Sequence, residues 1–127
     1  MLKEMWICIV IVVLILGLDI FTQNYTKESM NKISEMLANL KEEILKTNKS
    51  EITKKVKEID NNWNKMHDKL AYYIEHDELE KVDTAIITMK SYIETEDYSS
   101  AVAELDEGKF VLEHIQKKNA FNLQNVF

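Results

Sequence analysis

The 127-residue chain carries 22 acidic residues against 16 basic ones, all lysine, for a formal charge of −6 at pH 7. Without arginine there is no planar fork to grip phosphate bidentately, and the acidic balance repels polyanions, so nucleic-acid recognition is excluded. No proline and only two glycines leave little to interrupt helices, and the fold class expected is all-α.

In chain order, the first element is the run Met5 to Leu18 (MWICIVIVVLILGL), which holds no charge and lies between Lys3 and Asp19. From Met5 through Phe21 it spans roughly 25 Å as a helix, the short end of what crosses a hydrocarbon core. A cleaved signal peptide is the rival reading, but the residues after the run offer no pair of small side chains for cleavage. Residues 1–21 therefore read as an uncleaved signal-anchor that puts residues 5–21 in the cytoplasmic membrane. Lys3 and the α-amino group favour a cytoplasmic N-terminus and an exported body, making this a single-pass cell-membrane protein. Cys8 lies inside the run, so the body at 22–127 has no cysteine and depends on helix packing for its stability.

Four amphipathic segments follow. The first, Tyr25 to Lys46, lines up Met30, Ile33, Leu37, Leu40 and Ile44 and can continue directly out of the anchor. The second begins at a capping box, Asn48 with Glu51, and alternates three- and four-residue steps through Ile52, Val56, Ile59, Trp63, Met66, Leu70 and Tyr73. It ends near His76. The third opens on a second box, Asp77 with Glu80, and carries Leu79, Val82, Ile86, Met89 and Ile93. The fourth starts near Asp97 with Tyr98, Val102, Leu105, Gly108, Leu112 and Ile115 on one stripe. Short connections make successive helices antiparallel, so an up-down four-helix bundle is expected after the anchor, the alternative being a long two-helix coiled coil with a separate hairpin. The tail after Lys118 then returns to the bilayer, bringing Phe121, Leu123, Val126 and Phe127 as an apolar cluster and candidate interaction surface.

Motifs that impose a spacing are missing. No Glu-x-x-His precedes His67, His76 or His114, no His-Glu-x-x-His or Cys-x-x-Cys-His occurs, and two isolated glycines cannot build a phosphate loop. No enzyme activity, cofactor or metal is expected. Three weaker spots remain. His67 with Asp68 sits at the edge of the seam, one turn after Trp63. His76 is read as closing a helix, where an imidazolium meets the negative end of the dipole. The acids Glu94, Glu96 and Asp97 cluster at a turn, where a solvated helix N-terminus is the plainer reading and cation binding the sharper one.

The second half of the chain carries Ile74-Glu75-His76-Asp77-Glu78-Leu79-Glu80-Lys81-Val82, then Ala103-Glu104-Leu105, then Lys109-Phe110-Val111-Leu112-Glu113-His114-Ile115, and finally Phe121-Asn122-Leu123-Gln124-Asn125-Val126-Phe127. In these residues it resembles an uncharacterised family of small membrane-anchored proteins from spore-forming, clostridia-like bacteria, known only as a domain of unknown function. Similar members often have proline after the His-Ile pair, where this chain has Gln116. The resemblance implies a helical, membrane-attached bacterial protein with a link to a multi-spanning membrane protein encoded nearby, and supplies no catalytic residues.

The functional expectation is a membrane-anchored extracytoplasmic interaction module whose partner is another protein, an integral membrane protein being favoured, with homo-oligomers also open. The alternative is an extracytoplasmic bundle that senses a ligand or ion. With about four residues ahead of the anchor to carry a signal inward, it would work through a partner.

Overall fold

The computed structural model describes residues 1–126, with side chains through Ala120. Four helices, α1 (Leu2–Leu45), α2 (Lys49–Leu70), α3 (His76–Glu94) and α4 (Tyr98–Val126), account for almost all of it. Nothing in the sequence breaks α1, and its 44 residues form one rod about 66 Å long. Its first buried residue is Thr26. Before that point the rod projects from the body, and the apolar side chains of the Met5–Leu18 run lie almost entirely uncovered.

From Thr26 onward α1 is the spine of the bundle. Met30, Ile33, Leu37, Leu40 and Ile44 are all buried, as the stripe requires, and they pack with Ile52, Ile59, Trp63, Met66 and Leu70 of α2 in one continuous core. Leu79, Val82, Ile86 and Met89 of α3 and Leu105, Leu112 and Ile115 of α4 complete that core. The backbones of α1 and α2, of α1 and α4, and of α3 and α4 run close together, while α2 and α3 approach least of the four adjacent pairs. The expected up-down bundle is therefore formed, with one looser side.

Two hairpin turns at the end of the body away from the projecting rod share one design. After α1 the amide of Asn48 donates to the Glu43 carbonyl and that of Thr47 to Ile44. After α3 the amide of Asp97 donates to Tyr92 and that of Glu96 to Ile93. Each helix thus closes with a Schellman motif whose left-handed residue is Thr47 (φ 55°) or Glu96 (φ 59°). The next residue caps the following helix at once: Asn48 Oδ1 accepts from the Glu51 amide, and Asp97 Oδ1 from the Ser100 amide.

Three local expectations change. Helix α2 ends at Leu70, so Tyr73 falls in the turn beyond it, about a third exposed, rather than on the helical seam. The box expected at Asp77 does not form: α3 starts two residues earlier, with Glu75 as its cap and Asp77 and Glu78 inside the first turn. His76 is consequently the first residue of α3 and not the last of α2. It faces the positive end of a dipole, with Glu80 at 3.8 Å one turn on.

Two backbone positions hold the wrong residue for their geometry. A β-branched side chain in the left-handed region costs about 1–2 kcal/mol, and Gly108 is a helix-interior glycine whose added methyl would meet Ala85 Cβ at 3.5 Å and Leu37 Cδ1 at 3.9 Å, ordinary contacts. Thr47→Gly and Gly108→Ala are each expected to stabilise the fold by about 0.5–1 kcal/mol, read as a Tm raised by a few degrees in thermal melts of the full chain in detergent. An unchanged or lowered Tm for Thr47→Gly would mean that the left-handed turn is not what closes α1.

Candidate functional site

The looser α2–α3 side is bridged by side chains and not by backbone approach. Asp83 of α3 accepts a hydrogen bond from the Trp63 indole Nε1 through one carboxylate oxygen at 2.6 Å, and meets His67 Nε2 with the other at 3.2 Å. The His67 ring stands edge-on to the Trp63 ring, 6.0 Å between centroids. One to two turns along, Lys90 donates to Asp60 at 3.1 Å. A shallow groove lined by Asp60, Trp63, Asn64, His67, Asp83 and Ile87 follows this ladder, and Ile87 is well exposed on its rim.

His67 is therefore at a real polar junction, but its partner is not Asp68, which is exposed. Asp83 takes that part from the neighbouring helix. The signal for it was a spacing: Asp60 with His67, and Asp83 with Lys90, are each seven residues apart, the edge pattern of facing helices in which polar residues flank an apolar seam.

At the end of the body where α1 projects, a second polar cluster ties the α2–α3 turn to α1. The hydroxyls of Thr26 and Tyr73 lie 2.7 Å apart, and both reach the Thr22 carbonyl, at 2.8 and 3.2 Å. Burial holds the Tyr73 phenol above its ordinary pKa of 10.0, a shift that the Thr26 hydrogen bond partly offsets. Beside it, Lys69 Nζ sits 5.6 Å over the Tyr25 ring, and that ring stacks on Phe21. On the α3–α4 side Lys118 donates to Glu75 at 3.3 Å and approaches Glu78 at 3.6 Å. The Glu75 hydrogen bond raises the Lys118 pKa. Glu78 is 92% buried by residue area, and its Oε2 finds no hydrogen-bond partner among the described residues. Its place in the first turn of α3 puts the charge at the favourable end of the dipole.

The acids Glu94, Glu96 and Asp97 are exposed at the opposite end, where two of them make structural contacts. Asp97 caps α4, and Glu96 pairs with Lys49 at 2.5 Å, a hydrogen bond that raises the lysine pKa. No three His, Cys, Asp or Glu side chains among the described residues are gathered to hold a metal ion. The side chains of Phe121, Leu123 and Val126, and the whole of Phe127, lie outside the described residues. The α4 backbone nevertheless continues to Val126, and Ala120 shares a cavity with Gln23 and Asn24 of α1. What these two clusters can do is hold helices in register and present polar and aromatic surface.

The family model of a domain of unknown function (DUF4363) matches residues 20–126, and the chain belongs to that family. The match covers the bundle and begins where the apolar run ends. No curated protein and no solved structure matches the chain.

Removing the Asp83 carboxylate strands the indole N–H of a tryptophan that is only 1% exposed. Asp83→Ala is expected to cost about 1–3 kcal/mol, and Asp83→Asn, which keeps an acceptor, distinctly less, in urea melts of the full chain. Equal losses would detach the indole bond from stability. For Tyr73 the folded phenol ionises at higher pH than the unfolded one, so its contribution is complete below about pH 10 and is lost as pH rises through the folded value. The Tm of the wild type is expected to fall more steeply above pH 10 than that of Tyr73→Phe; parallel curves would contradict the burial argument.

Proposed function

We propose that this family member is a membrane-anchored helical module that binds another protein, an integral membrane protein by preference, on the outer face of the cytoplasmic membrane. The observation that carries this reading is the division of α1. Its first half is apolar and uncovered, and the second half, without a break, forms the core of an acidic bundle. An exposed apolar surface of that extent needs lipid or protein around it. Lys3 ahead of the run and Asp19 behind it support a cytoplasmic N-terminus. The two polar clusters position helices, which suits a binding scaffold better than a reaction centre.

The tail is the proposed partner contact. Because Ala120 is level with Gln23, the helical residues up to Val126 continue about 9 Å further along the projecting half of α1. That carries the α4 backbone at Phe121, Leu123 and Val126 toward the apolar end of the body, where a membrane protein would be met.

The test has two parts. The chain should stay with membranes through high-salt and alkaline washing, and Val12→Arg should abolish insertion, since a central charge costs about 2.5–3.5 kcal/mol on insertion scales. Release of the wild type by the alkaline wash would end the anchor reading. Deletion of residues 120–127 should then lose the membrane proteins that co-purify with the full chain while leaving helix content nearly unchanged. Retention of the same partners by the truncated chain would remove the tail from the interface.

A further inference from the structure

The turn between α2 and α3 holds a tyrosine that the bundle does not use. Tyr72 is 90% exposed, yet its neighbour Tyr73 is tied by its hydroxyl to Thr26 and to the Thr22 carbonyl. That tie fixes the height of the turn along α1. Thr22 follows Phe21 directly, so the Tyr73 hydroxyl stands within roughly one to one and a half helical turns, along the helix axis, of the last two apolar residues of the projecting run, Ile20 and Phe21. Around the same level Phe21 stacks on Tyr25, and Lys69 lies over the Tyr25 ring.

The geometry points to a second membrane contact: the Tyr72 ring enters the headgroup region of the bilayer and, with Phe21 and Tyr25, forms an aromatic collar that fixes how the bundle sits on the membrane. This inference rests on the anchor reading. Its chemistry is that of an amphipathic ring, whose apolar body favours the acyl boundary while the hydroxyl remains among headgroups and water. A ring this exposed, carried by a turn that Tyr73 ties to α1 near the end of an uncovered apolar helix, has lipid within its reach once that helix is inserted. Lys69 fits the same level, its ammonium over the face of the Tyr25 ring and available to headgroup phosphate. Glu75, on the far side of the turn, is taken up by Lys118 and so presents no unpaired carboxylate there.

The experiment uses the full chain with Cys8→Ser, so that one introduced thiol can carry the fluorophore nitrobenzoxadiazole. One variant adds Tyr72→Cys and a control adds Leu45→Cys, an exposed residue at the opposite end of the body. Both are reconstituted into phosphatidylcholine vesicles with or without a lipid bearing a nitroxide near the headgroup end of its acyl chain. Fluorescence at position 72 should fall roughly two-fold or more with the nitroxide lipid, while position 45 changes little. If both variants float with the vesicles and position 72 is quenched no more than position 45, the collar is wrong and the anchor stands. If neither floats, the span is absent and the collar falls with it.

Discussion

The structure depends on the register of one stripe on α1. The side chains from Met30 to Ile44 are shared between the packing against α2 and the packing against α4, so the two hairpins of the bundle meet across a single helix. Turning that helix by one residue would expose five large apolar side chains and would move Thr26 away from Tyr73. Because a helix backbone satisfies its own hydrogen bonds without interruption, the rotational setting of the bundled half also sets that of the projecting half. Core packing and the facing of the apolar run are one constraint.

The α2–α3 side shows what a small bundle does where its helices stand apart. A tryptophan fills the distance, and its polar edge is met by a carboxylate from across the gap, which in turn is shared with an imidazole. The buried indole N–H is satisfied only in one alignment of the two helices, and a mismatched register leaves it without a partner in the core. The ion pair between Lys90 and Asp60 repeats the alignment at partly exposed positions, where its contribution to stability is small and its effect is on register.

Much of this was legible in the sequence because it is written at short range. The absence of proline and the unbroken apolar stripes specify four helices, and residues such as Ile33, Trp63, Val82 and Leu112 are buried as their spacing requires. The cap at Asn48 is likewise local. Readings failed where the answer lay on another helix or in a turn with no special residue. Asp83 escaped because nothing adjacent in sequence pairs it with His67, and Asp68 stood nearer along the chain. His76 was placed at the wrong end of a helix because the acids after it suit either a cap or a first turn, and tertiary packing of Glu78 and Leu79 decides between them. Thr47 and Glu96 gave no sign of their left-handed backbone, since glycine, the usual marker, is missing from both turns. The level of Tyr72 on α1 emerges only from the hydrogen bonds of its neighbour.

The unbroken run of α1 also makes the molecule a lever. From Thr22 to Leu45 the bundled half extends about 35 Å beyond the end of the apolar segment, with no proline, glycine or loop between them to absorb a bend. A ten-degree tilt of the projecting half therefore sweeps the paired turns at Thr47 and Glu96 sideways by about 6 Å, a distance on the scale of one helical turn. Thin changes in what surrounds the first twenty residues become large displacements at the far end, delivered without any rearrangement of the core.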